Sequence, residues 1–265
     1  MANQTSEEKK TSENEHVVAE DLGYSRVIYQ DERLYRFTSD SILLSKFATA
    51  KKGDRVADFC SGCGIVAFHF YLVNGGAELP ENADETKPNK AKNMRFTLFE
   101  MQEKLHNLAK MTAQANGFDN FDFCLGRLQD MPKEYYGAFS LILCNPPYET
   151  GGFQNDDYEK AVCRKELTIC FKEIVTAAKK ALKFGGRFAL VHRADRVAEI
   201  IAELSSQNFA VKRLQFVAPH ENKKPYLVLL EAVYGGKNGT DVLPVLINDA
   251  KTGGSASAPQ RKDID

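Results

Sequence analysis

The chain has 265 residues, 43% hydrophobic and 27% charged, with 35 basic and 36 acidic side chains for a formal charge of −1. Length and composition describe a globular protein with a substantial core and exclude both a wholly disordered chain and a uniformly basic nucleic-acid binder. The near-zero sum conceals a split that permits a basic face: residues 1–160 carry 18 basic and 25 acidic groups, whereas residues 161–230 carry 13 and 6.

The opening MANQTSEEKK lacks the apolar stretch of a secretory signal, and no run approaches the roughly 20 apolar residues that span a bilayer. No membrane association is expected. Cysteines at 60, 63, 124, 144, 163 and 170 are scattered through expected strands and helices rather than spaced as a disulfide framework, so a cytoplasmic, reducing location is expected.

In chain order, residues 1–20 are polar and mostly acidic and are expected to be a flexible tail, with a single domain over 21–250. Residues 27–37 alternate around Gln30-Asp31-Glu32 and predict a hairpin packed on the core. A strand follows at 55–59, then a helix at 65–73. Residues 74–93 hold two prolines, two adjacent glycines and no packable face, and read as a surface insertion. Beyond it come a strand at 95–99, a helix at 102–116, and strands at 121–125 and 139–144. A helix over 166–184 is expected to stop at Gly185-Gly186. A strand at 187–192, a helix at 195–207 and strands at 211–217 and 226–233 complete the series. Only residues 218–225 separate the last two strands, too few for a crossover helix, so these two pair antiparallel. Residues 251–265 are Gly/Ser/Ala-rich and are expected to be a second flexible tail. The alternation predicts an α/β fold: a seven-stranded, mostly parallel sheet covered on both faces, with a C-terminal antiparallel hairpin.

Chemistry-bearing residues fall at the ends of these strands, where open α/β sheets bind ligands. The first runs Asp58-Phe59-Cys60-Ser61-Gly62-Cys63-Gly64 into a helix; Gly62 and Gly64 allow a sharp turn and close approach of a ligand, with Asp58 and Ser61 beside them. Any doubly wound fold can carry such a glycine turn. Cys60-x-x-Cys63 has no second Cys/His pair at ligand spacing, so its cysteines read as small turn residues and no metal is expected. Glu100, at the end of the next strand, can accept hydrogen bonds from a ribose diol, although an acid is also favoured at a helix N-terminus. Gly126-Arg127-Leu128-Gln129-Asp130 follows the third strand, with Asp130 the candidate for an acid facing a cofactor's adenine.

The most specific motif is Asn145-Pro146-Pro147-Tyr148 after the fourth strand. Two prolines fix their own φ and lack N–H donors, so the turn presents carbonyl oxygens and the Asn145 side-chain oxygen rigidly. Two such acceptors can grip both hydrogens of an exocyclic amine, and Tyr148 can stack on the ring that bears it.

With these motifs the chain resembles the NPPY-type class I S-adenosylmethionine-dependent methyltransferases. Within them it resembles the bacterial tRNA1(Val) (adenine-37 N6)-methyltransferase family, in its Gram-positive version, over residues 24–247. The stretch Arg36-Phe37-Thr38-Ser39-Asp40-Ser41-Ile42-Leu43-Leu44, the loop DFCSGCGI, the NPPY turn, Lys183-Phe184-Gly185-Gly186-Arg187-Phe188 and Val191-His192-Arg193 carry the resemblance. In that family the commonest residue at position 60 is glycine, and an acid often stands where this chain has Arg127. The resemblance implies S-adenosylmethionine as cofactor, Asp40 near it, and N6-methylation of an adenine in a tRNA, at position 37 of a valine tRNA. The basic stretch then supplies backbone contacts through Arg164, Lys165, Arg193, Lys223 and Lys224, while Lys179 and Lys180 lie mid-helix and read as solvated. No obligate protein partner is evident. Alternatives within the NPPY class are a ribosomal RNA guanine N2-methyltransferase and a release-factor glutamine N5-methyltransferase; outside it stands a non-catalytic RNA-binding scaffold.

Overall fold

The computed structural model describes residues 16–34, 38–76, 89–147 and 169–249. A hairpin of β1 (Val17–Gly23) and β2 (Arg26–Asp31) comes first. It turns at Tyr24 and Ser25, both left-handed with φ 58° and 56°, the two-residue geometry that matches strand twist. The expected hairpin around Gln30-Asp31-Glu32 is therefore displaced upstream, and Val17 to Glu20, expected in the tail, are strand. Neither Tyr24 nor Ser25 is a residue that advertises a turn with positive φ. What decides the register is docking: Asn116 on the helix below accepts from the Val27 N–H (3.0 Å) and donates to the Val27 carbonyl (2.7 Å), and Thr112 accepts from the Tyr29 N–H (3.0 Å). These side chains satisfy what would otherwise be an open strand edge.

The main sheet has eight strands in the order β10-β8-β9-β7-β6-β3-β4-β5. β3 (Arg55–Phe59), β4 (Arg95–Glu100), β5 (Phe121–Leu125), β6 (Phe139–Cys144) and β7 (Leu182–Arg193) run parallel. β9 (Leu227–Tyr234) lies antiparallel between β7 and β8 (Phe209–Ala218), as the short connection requires. The eighth strand, β10 (Asp241–Ile247), joins β8 in parallel at the edge and was not anticipated. Pro244 masks it in the sequence, and an edge strand is where a sheet tolerates proline.

Among the described residues, five α-helices cover the sheet: α1 (Ser39–Phe47), α2 (Ile65–Tyr71), α3 (Glu103–Asn116), α4 (Phe171–Ala181) and α5 (Val197–Ser206). Strand residues alternate between two cores. Val56, Ala189, Val191, Leu227 and Leu229 face α1–α3, whereas Ala57, Phe59, Phe188, Leu190, Val228 and Leu230 face α4 and α5. The helix expected to run to Phe184 ends at Ala181. Leu182 is already extended and pairs with Phe139, and pairing resumes only at Leu141 with Arg187, so residues 183–186 bulge from β7 with Gly185 at φ 77°. The glycine pair is a strand bulge, not a helix stop. Residues 166–168 lie outside the described residues, as do residues 77–88 of the expected insertion and both ends, 1–15 and 250–265. The flanks of the insertion are joined by a hydrogen bond from the Ala91 N–H to the Asn74 carbonyl, 2.9 Å.

Two cations of the basic stretch are structural. Arg187, 5% exposed, pairs with Asp54 at 2.6 Å and donates to the Thr49 carbonyl; Arg213 donates to the Phe47 carbonyl (3.1 Å) and to Thr49 Oγ1 (2.7 Å). Together they pin the end of α1 to β7 and β8. A second buried contact ties α1 to α2: Ser45 Oγ lies 2.6 Å from His69 Nδ1 and donates its own proton to the Ile42 carbonyl, which leaves His69 Nδ1 as the donor of the pair. Burial lowers the pKa of both His69 and His192 to about 4. Because the unfolded chain takes up these protons first, stability held above pH 6.5 is lost between pH 6.5 and about 4, by roughly 3 kcal/mol per histidine. Buried Asp58, with its pKa raised to about 8, opposes part of this loss, because its unfolded form gives up a proton above pH 3.8 and its folded form does not. Thermal melts across this range are expected to show falling stability on acidification, with a shallower fall for His192→Phe; equal slopes would refute the assignment.

Candidate functional site

The parallel strands deliver their connecting loops to one edge of the sheet. After Phe59 the chain turns through Cys60 at φ 56°, Gly62 at φ 57° and Gly64 at φ 86°. Cys60 thus occupies a left-handed position that costs an L-residue with a Cβ about 1–2 kcal/mol, which accounts for glycine being the commoner choice there. The loop is held by backbone bonds: the Ser61 N–H to the Phe99 carbonyl (3.1 Å) and the Gly64 N–H to the Ser61 carbonyl (2.8 Å). Gly64 begins α2 with no room for a side chain. A Cβ there would stand 2.5 Å from Phe68 Cε2 and 2.8 Å from Leu98 Cδ2, whereas one on Gly62 would meet nothing within 4 Å.

Glu100 fastens this loop to its neighbour. One carboxylate oxygen accepts from the Gly62 N–H and the other from the Gln102 N–H, each at 2.8 Å. Burial raises its pKa against the opposing pull of these amides. Each oxygen keeps a second lone pair, so the group can still accept from a ligand diol. Asp58 lies beneath the loop, 1% exposed, with Oδ2 accepting from the Ala67 N–H at 3.1 Å. Its burial, and secondarily the charge of Glu100, raise its pKa to about 8.

These segments surround a cleft with an empty volume of about 860 Å³. Ser61 and Gly62, Glu100 and Leu105, Arg127 to Gln129, and Asn145 and Pro147 line it, together with Ser41 from α1. Of the six buried polar atoms without a hydrogen-bond partner among the described residues, two, Ser61 Oγ and Asn145 Oδ1, belong to residues that line this cleft, and a third, Asp58 Oδ1, lies beneath its loop. Leaving such an atom unsatisfied costs about 1–3 kcal/mol, so their clustering around one cleft marks it as a place where ligands complete the bonding. The residues therefore fit a nucleoside cofactor whose ribose diol would meet Glu100, with Asn145 Oδ1 left to accept from a planar amine.

Ser61, Gly62, Glu100, Asn145 and Pro147 line the one cleft, whereas Gly64, bonded to Ser61, Asp58, bonded to the Ala67 N–H, and buried Pro146 stand next to it without lining it. Asp130 is not brought in. The short 3₁₀ turn Leu128–Asp130 buries Leu128 and turns Asp130 to solvent, so Arg127 and Gln129 line the cleft instead. Asp40 is buried in the first turn of α1 and does not line the cleft, whereas its neighbour Ser41 does. Tyr148, Arg164 and Lys165 lie outside the described residues. Lys223 and Lys224 are exposed in the β8–β9 loop, which the pairing of Arg193 with Leu227 sets at the same sheet edge. Arg193 there is already bound to Asp195 and Arg196 to Glu199, so the free positive charge of this rim is smaller than the residue count implied. Cys60 does not associate with Cys63; its thiol is hydrogen-bonded to that of Cys144, and burial holds Cys144 well above its ordinary pKa. Burial likewise pushes the Cys63 thiol up to about 12. Among the described residues no group of three or more His, Cys, Asp or Glu side chains could hold a metal ion, and no helix is long and apolar enough to cross a membrane.

Comparison with known proteins agrees with this geometry. Residues 50–246 match the family described as a methyltransferase domain. The tRNA1(Val) (adenine(37)-N6)-methyltransferase of Shewanella sp. (strain MR-4) is 30% identical over 196 residues, 73% of this chain and 75% of that one. Two solved structures share the fold. A predicted O-methyltransferase from Agrobacterium tumefaciens has a TM-score of 0.57 at 19% identity, over 83% of this chain and 92% of that one. The P. horikoshii protein TYW2, in complex with MeSAdo, has a TM-score of 0.54 at 10% identity, over 83% and 72%. A glycine turn tied to a carboxylate, an NPP turn on the same cleft, and a relative of 30% identity along three quarters of its length lead to one assignment: the chain belongs to the tRNA1(Val) (adenine(37)-N6)-methyltransferase family and is an S-adenosylmethionine-dependent class I methyltransferase.

Proposed function

We propose that this chain methylates the N6 amine of an adenine in tRNA, at position 37 of a valine tRNA. The observation that carries the reading is Asn145: its Nδ2 donates to Ser41 Oγ at 3.0 Å, and its Oδ1 is a buried acceptor with no partner among the described residues. An acceptor held in that way in the cleft lining is suited to an exocyclic N–H.

Bound S-adenosylmethionine supplies an electrophilic methyl group on a sulfonium. Glu100 would hold its ribose hydroxyls, with Ser61 and the Gly62 backbone beside its polar end, and the apolar Leu105 and Leu128 would exclude water. Asn145 Oδ1 accepts one amine hydrogen and the Pro146 carbonyl the other, which turns the nitrogen lone pair out of conjugation and toward the methyl carbon. Proximity and alignment supply the catalysis, and no side-chain base is needed before transfer. As the N–C bond forms, the methyl–sulfur bond would break with its electron pair kept by sulfur, leaving a neutral thioether, and the methylated amine would shed a proton to water. An adenine stacked in an RNA loop must swing out to reach Asn145, and Tyr148, next in sequence to Pro147, would stack on it. Lys223 and Lys224 would hold the phosphate backbone at the rim, which makes binding strongly salt-dependent.

Mass spectrometry of tRNA nucleosides, after incubation of unmodified tRNA with the protein and labelled cofactor, tests the reading. N6-methyladenosine from valine tRNA is the expected product. Label on guanine or only on protein would overturn the adenine assignment, and absence of micromolar cofactor binding in calorimetry would favour a non-catalytic scaffold.

A further inference from the structure

We infer that Ser41 is a positioning residue for methyl transfer, acting by anchoring the Asn145 side-chain amide so that its Oδ1 is left to the substrate amine. The inference rests on the reading of Asn145 as the amine's acceptor and extends it to a residue outside the NPPY turn.

The side-chain amide of asparagine has one accepting and one donating end, and they interchange by a half-turn about a single bond. Only the accepting end favours the substrate; a donating –NH₂ aimed at the amine repels it. Ser41 anchors the amide from another element, with Nδ2 as the end it holds. It is 2% exposed, lines the cleft, and its Oγ accepts from Asn145 Nδ2 at 3.0 Å across 104 positions of sequence. With Nδ2 held there, Oδ1 is the end left without a partner among the described residues.

The serine can act as an anchor because α1 is itself held. The Ser41 N–H is bonded to the Thr38 carbonyl (3.2 Å), and the Ala48 N–H to the Leu44 carbonyl (2.9 Å). Midway, Ser45 is locked to His69 of α2, and beyond the helix end Arg187 and Arg213 grip residues 47–49 from the sheet. At the other end Asn248 Nδ2, which donates to the Tyr226 hydroxyl at 2.8 Å, also approaches Ser39 Oγ at 3.3 Å. Helix α1 is therefore a fixed arm that carries a hydroxyl to the amide.

The test is single-turnover methyl transfer under saturating cofactor and tRNA, for wild type, Ser41→Ala, Ser41→Thr, Asn145→Ala and the double variant Ser41→Ala/Asn145→Ala. Ser41→Ala is expected to slow transfer about 10- to 100-fold, with cofactor affinity and melting temperature close to wild type, and Ser41→Thr, which keeps the hydroxyl, to recover most of the rate. In the Asn145→Ala background the serine substitution should add less than twofold, because the serine acts through the asparagine. Ser41→Ala transferring within twofold of wild type, or slowing Asn145→Ala by the same factor as wild type, would overturn the proposal. A wild type active on guanine refutes the adenine reading while leaving this cycle measurable on that base. A wild type that labels no base refutes both.

Discussion

Asn145→Ala is expected to lower kcat about 10²- to 10³-fold, the loss typical of removing one preorganised polar contact to a reacting group. S-adenosylmethionine affinity should stay within a few-fold of wild type. The two effects separate because the loop of Ser61 to Gly64 is braced by Phe99 and Glu100, whereas the Asn145 amide is bonded to Ser41. Removing the side chain also strips Ser41 of its donor, yet it relieves the buried unpartnered Oδ1, so the fold should be little weakened. Single-turnover transfer paired with calorimetric titration of the cofactor checks both halves. Equal loss of cofactor binding and transfer would show that Asn145 belongs to the cofactor site instead.

Gly64→Ala is expected to cost about 2–5 kcal/mol of stability and to abolish cofactor binding. Two strains add there. A left-handed φ of 86° costs an alanine about 1–2 kcal/mol. The new methyl would also stand 2.5 Å from the Phe68 ring and 2.8 Å from Leu98, in a core where overpacking costs about 1–3 kcal/mol. The backbone shift needed to relieve these contacts moves the first turn of α2 and with it the Gly62 N–H that Glu100 holds. Gly62→Ala is the control: its φ of 57° carries the first strain, but its Cβ enters open space. Urea denaturation of the two variants should show the Gly64 change several-fold more damaging, and comparable midpoints would refute the packing account.

Seven strands of the central sheet were legible, β10 being the exception, because each is a short apolar run bounded by polar or glycine residues, and burial on both faces leaves little else such a run can do. The antiparallel pairing of β8 with β9 followed from connection length. The hairpin at the start was misplaced because Tyr24 and Ser25 take up left-handed φ without the glycine or asparagine that usually marks it. The glycine pair at 185–186 was read as a helix stop, since the sequence does not distinguish a cap from a bulge. In the site, Asp58, Gly62, Gly64, Glu100 and Asn145 were legible from their places at strand ends. Asp130 was not, because a single 3₁₀ turn decides which of three consecutive residues faces inward.

The opening charge balance divides along the same line. By itself the sequence determined the α/β class, the glycine turn, the NPPY motif and a surplus of cations after it, because these depend on local backbone preference and on composition. Tertiary structure alone decided what the cations do: Arg187 and Arg213 hold the arm of α1, Arg193 and Arg196 bind neighbouring acids, and Lys223 and Lys224 remain exposed at the edge where the cleft opens. It alone brought Ser41 to Asn145. The physical reason is range: φ/ψ preference and apolar period act over a few residues, whereas the partner of a charge or an amide is set by packing between elements a hundred residues apart.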